Sequence, residues 1–381
     1  MDSLGRGLRV GSLAVQGLAP EVEPAGPLTV SPEFATAYDQ DLDDIAPVRY
    51  GRWGHRSAEQ LEECLGRLDR GSSVVFNSGM AAVSSVLLAL VRPGERLVLF
   101  EGGTYYETRQ IAEQLAGRGV AVRVIASMAE LPEAVVGARL VVVESPSNPL
   151  LDLYDLRAVA RIAHDAGAIV AVDNSVASPL GQCPLELDAD LVMSSDAKVI
   201  GGHNDLVLGH VSTRDDQLLK TLQDWRYLHG SIPSAFTCWL ALRSIGTLEL
   251  RVERQNASAA ALVKLLASRP EVTGLRWPGA PADPQHPIAA AQMRLGGGLL
   301  TFCLPDRAYL HRFLRSCRLI VPATSYGGLQ STANDIGAWP HLNVPGGLVR
   351  ISCGCEDTTD LVDDVRQALD LAALSLTAGL P

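Results

Sequence analysis

The chain has 381 residues, 47% of them hydrophobic, with a formal net charge of −11, which is enough apolar material for a large domain and a smaller one. The acidic balance, without a long Lys/Arg cluster, excludes an electrostatic footprint for nucleic acid or an anionic membrane and leaves a small molecule as the expected partner. No apolar stretch reaches the roughly 18 residues of a spanning helix, and the first residues lead into no signal-like core. The cytoplasm is therefore the expected location, and the seven cysteines, odd in number and without a Cys-x-x-Cys, are expected to be reduced thiols holding no metal.

Residues 1–48 are rich in Gly, Pro and acidic side chains and show little periodicity, which predicts an extended arm against a neighbouring subunit. Ser57-Ala-Glu-Gln60 has the form of a capping box, and Leu61, Cys64, Leu65 and Leu68 follow at helical spacing, so a helix is expected to begin there. From Ser73 to about Val211, apolar runs alternate with amphipathic stretches such as Leu156 to Ala166. The runs are Val74–Phe76, Arg96–Phe100, Ala121–Ile125, Leu140–Val143, Ala168–Val172 and Leu191–Met193. This βαβ rhythm predicts an α/β domain over about 49–245 with a mostly parallel, helix-covered sheet, and ligands at the carboxyl ends of its strands. Leu240 to Leu266 is expected to be one long helix bridging to a second domain, 246–381, with short strands at 298–303 and 349–352 and a last helix from Thr358. The Pro-rich piece 278–287 is expected to be a surface loop.

Polar residues fall where such a sheet would present them. Asp173 ends one apolar run, and Lys198 follows another. A lysine so placed can form a Schiff base with a carbonyl cofactor, and an aspartate can keep a pyridinium nitrogen protonated, a combination that points to pyridoxal phosphate. Ser78-Gly79-Met80 opens a helix after a strand, a place where free backbone N–H groups and the helix dipole suit a phosphate. Neither G-x-G-x-x-G nor G-x-x-x-x-G-K-[ST] occurs, which argues against a dinucleotide and a nucleoside triphosphate.

The ordered set Tyr50-Gly-Arg52, Ser78-Gly-Met80, Glu144-Ser-Pro-Ser-Asn-Pro149, Val172-Asp173-Asn174, Lys198 with Gly202-His203-Asn-Asp205, Thr324-Ser-Tyr-Gly-Gly328 and Leu348-Val-Arg-Ile-Ser352 resembles the Cys/Met-metabolism family of pyridoxal-phosphate enzymes, over about Arg49 to Leu369. The resemblance implies a fold-type I enzyme, with a large domain built on a mostly parallel seven-stranded sheet and a smaller α/β C-terminal domain. It assigns Lys198 to the cofactor carbonyl and to proton shuttling, Asp173 to the ring nitrogen, and Asn148 to the phenolic oxygen. Gly79, Met80 and Ser195 would hold the phosphate, and Tyr50 and Arg52 would reach it from a neighbouring subunit of a homotetramer. Tyr105, with Tyr106 as the alternative, would stack on the ring and protonate a departing thiolate. Arg350, helped by Ser325, would clamp the substrate carboxylate.

The implied activity is a carbon–sulfur lyase acting on a sulfur amino acid, foremost γ-elimination of cystathionine. Methionine γ-lyase, cystathionine β-lyase and cystathionine γ-synthase are the alternatives, and a non-catalytic ligand-binding relative is one of another class. Four positions depart from the family pattern. Ala197 lacks a phosphate-binding hydroxyl, while Asp196 is expected to add negative charge near the phosphate. Gln330 stands where the family commonly has a glutamate, and Thr324 leaves the choice of reaction open.

Overall fold

A computed structural model of the chain describes residues 8–16, 29–40, 42–43, 50–339, 342 and 344–377. The larger sheet contains β1 (Ser72–Phe76), β2 (Arg96–Phe100), β3 (Ala121–Ile125), β4 (Ala138–Glu144), β5 (Ile169–Asp173), β6 (Leu191–Ser195) and β7 (Gly209–Thr213), in the order β1-β7-β6-β5-β4-β2-β3. Only β7 runs against its neighbours. The central strands are continuous apolar runs because both faces are covered; Leu140, Val141, Val142 and Val143 are all buried. The chain turns back between β2 and β4, so the crevice beyond their carboxyl ends is where an open α/β sheet takes a ligand.

The smaller sheet has β8 (Thr273–Arg276), β9 (Leu299–Cys303), β10 (Val321–Pro322), β11 (Thr332–Asp335) and β12 (Leu348–Ser352), ordered β10-β11-β12-β9-β8. Val349 and Ile351 of β12 pack with Leu300, Phe302, Phe313, Leu361 and Val365 in one apolar cluster. Burying each such side chain contributes roughly 1.5–3 kcal/mol. Strand alternation sends Arg350 and its cross-strand partner Thr301 to the opposite face, where both are buried polar residues. This face supplies an arginine to the site on the larger sheet.

Four local expectations are corrected. The helix Arg56–Asp69 is capped by His55, whose Nδ1 accepts from Ala58 N at 3.1 Å, and not by a box at Ser57; Ser57 Oγ accepts from Glu33 N instead. Within the expected extended arm, Val10–Gln16 is a helix whose Val10, Leu13 and Ala14 join the core beside Leu61 and Leu65. The long bridge is two helices, Ala235–Ile245 and Leu248–Ala267, broken at Gly246-Thr247. Strand β7 was hidden by its polar His210 and Ser212, which face a buried ionic partner rather than solvent, and by Thr213, whose hydroxyl donates to Asp190 O at 2.8 Å.

Candidate active site

β5 ends at Asp173 and β4 at Glu144, and the two residues are paired in the ladder. Asp173 Oδ1 accepts from Ser175 N at 3.0 Å and Ser175 Oγ at 2.6 Å. Burial pushes its carboxyl above the ordinary range, and the two bonds from Ser175 pull against that. Ser175 Oγ also accepts from Ser195 N at 2.7 Å, which ties the end of β6 to Asp173. The turn after β6 then carries Lys198, whose Nζ donates to Ser325 Oγ at 2.9 Å and stands 5.4 Å from the Tyr326 ring centre. Burial, and secondarily Arg350, lowers the lysine pKa, which makes its amine a readier nucleophile and base.

Arg350 comes from the smaller sheet and is 2% exposed. It donates to Asn148 Oδ1 and, at 2.7 Å, to Ser325 O, with its guanidinium over the Tyr326 and Trp339 rings. Ser325 holds φ of 73°, a left-handed conformation rare outside glycine, and this aims its carbonyl and hydroxyl at the two cations. Asn148 N donates to Glu144 Oε1 at 3.2 Å. Glu144 Oε2 is buried without a hydrogen-bond partner, and burial reinforced by Asp173 raises the Glu144 pKa well above its ordinary value. Tyr105 opens the helix Tyr106–Ala116. Burial, with Glu107, Glu144 and Asp173, pushes its phenol up to about 12. Tyr106 is the first residue of that helix and has the Arg109 guanidinium 5.9 Å from its ring centre.

Gly79 begins the helix Gly79–Leu90, capped by Ser78 Oγ, which accepts from Ala81 N at 3.0 Å. A Cβ on Gly79 would lie 2.6 Å from Ser195 Cβ, and one on Gly209 would lie 2.6 Å from Gly79 Cα. Glycine is required at both places for the helix terminus to meet the end of β6. The structure thus brings together Lys198, Asp173, Asn148, Tyr105, Arg350 and Ser325, with Gly79, Met80 and Ser195 at the adjoining helix start. Tyr50 and Arg52 are elsewhere. Arg52 donates to Tyr227 O at 2.9 Å and lies over the Tyr227 ring, both contacts with the helix Asp216–His229, and it also lies 5.8 Å from the centre of the Tyr50 ring.

A half-buried primary amine, a carboxylate on the adjoining strand, a glycine-lined helix start and a guanidinium form the donor set that pyridoxal phosphate and an amino acid need. The sequence profile of Cys/Met metabolism PLP-dependent enzymes matches residues 27–370. The chain belongs to that family. Its cofactor is therefore pyridoxal phosphate, and the two-sheet architecture is that of fold-type I. Among family members, a Streptomyces coelicolor protein provisionally named a cystathionine gamma-lyase is 42% identical over 94% of this chain and 93% of its own length. The Mycobacterium bovis cystathionine gamma-synthase is 36% identical over 84% and 86%. The solved structure of a Micromonospora echinospora cystathionine gamma-lyase superposes with a TM-score of 0.90 at 35% identity, covering 96% of this chain and all of that one.

Residues not singled out from sequence complete this family site. Tyr326 lay inside the motif Thr324–Gly328, but only the fold shows its ring beside both cations. Ser175 was two residues beyond Asp173, a spacing that permits the turn bond it makes. Asp196, expected to charge the phosphate site, is fully buried and turned to His210. Gln330 removes a carboxylate, and Glu356 supplies one to the adjacent Ser331 through bonds of 2.6 and 2.8 Å. Among the described residues no helix is long and apolar enough to cross a membrane.

Proposed function

We propose that the chain is a carbon–sulfur lyase that carries out γ-elimination on cystathionine, yielding cysteine, 2-oxobutyrate and ammonia with uptake of one water. The observation that carries this is the bridge made by Ser325. Its hydroxyl meets Lys198 Nζ at 2.9 Å and its carbonyl meets Arg350 at 2.7 Å, so an amino acid whose carboxylate is held by Arg350 presents its α-carbon beside the lysine. The bound cofactor supplies an electron sink for carbanion charge. Lys198 Nζ, its proton affinity lowered by burial, takes the α-proton, gives it up again, and as the free amine then takes a β-proton. Tyr105, whose phenol keeps its proton at neutral pH, donates to the departing γ-thiolate. Glycine at 79 lets the helix start approach the phosphate, and Asp173 holds the ring nitrogen.

The likeness over 94% of the chain to a relative named as a γ-lyase favours this reaction. The γ-synthase relative keeps the synthase as a second reading. Thr324 lines a surface cavity with His311 and Asp335, and its side chain leaves the choice to be made by assay. The same proposal takes Tyr50 and Arg52 as phosphate ligands for a neighbouring subunit, in a homotetramer, and a cytoplasmic setting. Purified enzyme offered cystathionine, methionine and homocysteine separately, with thiol and keto acid identified, tests the assignment. The expected products from cystathionine are cysteine and 2-oxobutyrate. Homocysteine and pyruvate would overturn it in favour of a β-lyase, and cystathionine made from cysteine and an activated homoserine would make the chain a synthase.

A further inference from the structure

His210 of β7 lies between two carboxylates. Its Nδ1 is 2.8 and 2.9 Å from the Asp196 oxygens, and its Nε2 is 2.8 Å from Asp69 Oδ2. Asp69 Oδ2 also accepts from Ser212 Oγ at 2.6 Å, and Ser73 Oγ lies 2.6 Å from Ser212 Oγ. Asp69, Asp196, His210 and Ser212 are each 0% exposed. With an acceptor at each ring nitrogen, the imidazole carries both protons and is a cation. Burial by itself would lower its pKa, but Asp196 and Asp69 outweigh burial and hold it at about 10.

The placement of this group is unfavourable unless it does something. Asp69 is the last residue of the helix Arg56–Asp69, where the macrodipole disfavours a carboxylate, and its Oδ1 is buried without a hydrogen-bond partner. Removing charged groups from water costs several kcal/mol per ion. The side-chain hydrogen bonds and ion pairs of these three residues run to one another and to Ser212, and not to Lys198 or Arg350. What they do adjoin is Asp173. Asp196 directly follows Ser195, whose N–H is tied through Ser175 Oγ to Asp173 Oδ1 by bonds of 2.7 and 2.6 Å. Ser194 and His210 are ladder partners. Asp173 therefore sits in the field of both: Asp196 raises its proton affinity and His210 lowers it, beneath the larger effects of burial and Ser175.

We propose that Asp69, His210 and Asp196 act as a positioning group that sets where the proton shared by Asp173 and the cofactor's ring nitrogen resides. The cation of His210 favours the carboxylate form of Asp173 and so leaves the proton on the ring, which is the state that best accepts electrons. Asp196 opposes this moderately and anchors the Lys198 turn, its N–H donating to Leu208 O at 2.9 Å and its carbonyl accepting from Gly201 N at 2.8 Å. The inference depends on the family cofactor and is independent of which sulfur amino acid is cleaved.

The test is the ring-nitrogen NMR shift of holoenzyme reconstituted with 15N-labelled pyridoxal phosphate, at one fixed pH, in the parent, His210→Gln and Asp196→Asn. The two variants are expected to move the shift in opposite directions. His210→Gln moves the proton toward Asp173, and Asp196→Asn moves it toward the ring, each by about a tenfold change in the proton ratio, equivalent to one pKa unit. A merely structural role would loosen the site in both variants and move both shifts the same way. That result, or no shift in either, overturns the proposal. If His210→Gln does not fold, Asp196→Asn carries the decision alone, because it keeps the Asp69–His210 pair; a shift away from the protonated ring overturns the proposal. The outcome is separable from the γ-lyase assignment, since a chain that makes other products would show the same shifts.

Discussion

Two buried ionic groups flank the end of β6 and are built in opposite ways. The group of Lys198, Arg350, Glu144 and Asp173 draws its members from two domains and contains a carboxylate oxygen with no hydrogen-bond partner, Glu144 Oε2. Both cations are brought to one serine, so the group is arranged to exchange partners. The group of Asp69, His210 and Asp196 places both ring nitrogens against carboxylates at 2.8–2.9 Å, with 0% exposure. It is closed to ligands and acts only through its field and its hold on the backbone. Burial alone therefore does not mark reactive charge, and neither does an unpartnered carboxylate oxygen, since Asp69 Oδ1 is another; two cations brought to one serine beside the strand ends set the first group apart.

This contrast is most severely tested by Lys198→Ala. With the only amine of the first group removed, turnover should fall by at least about 10⁴-fold and the absorbance of the lysine-bound cofactor should vanish. A variant that keeps the spectrum would remove Lys198 from its role. Next in size is Arg350→Ala, which truncates a buried charged hydrogen bond; a loss of about 2–5 kcal/mol, or roughly 30- to 5000-fold in kcat/KM, is expected, well beyond any change in cofactor affinity. Equal loss of cofactor binding would show that Arg350 instead holds the domain together.

Glu144→Gln probes the same group through stability. The Glu144 pKa is raised in the fold by burial and then by Asp173, so its contribution to stability is fully present below the unfolded glutamate pKa and is lost as pH rises through the folded value. The glutamine variant should melt higher than the parent of equal cofactor content at neutral pH, by roughly 1 °C for each kcal/mol recovered in a chain of this length, with the difference closing toward acid. A variant that melts lower at every pH would show that Glu144 is stabilised by a partner after all. The smallest effect belongs to Ala197→Thr, which restores the family's hydroxyl. One added hydrogen bond of about 1 kcal/mol would tighten cofactor binding roughly fivefold in a titration. No change would mean that the Asp196–His210 tie holds the turn out of reach of the phosphate.

Much of the fold was legible because local pattern and burial agree. The Val/Leu runs of β4 and β5 are strands buried on both faces, and their terminal Glu144 and Asp173 fall where a parallel sheet presents polar side chains. β7 was not legible, since Gly-His-Val-Ser-Thr has an apolar face of one residue and its other face is satisfied by Asp69, 141 positions away from His210 in sequence. The helix start at His55 was missed for a similar reason. Its imidazole caps with Nδ1 while Nε2 bonds Pro233 O at 3.0 Å, a tertiary contact that fixes the ring and outcompetes the local serine. Lys198, Asp173 and Arg350 could be found from strand ends and ordered motifs. Tyr326 and His210 required knowing which distant segments meet.

The Arg350–Asn148 bond spans the two domains across 202 positions of sequence. A guanidinium has a fixed fork of donors, and here its two terminal nitrogens already face Asn148 and Ser325. Under the proposed function, an incoming carboxylate would engage the donors that these two bonds leave over, beside the amide proposed for the cofactor's phenolic oxygen. One side chain thus ties the proposed substrate clamp to the proposed cofactor contact, and the same hydrogen bond is a latch between the two sheets.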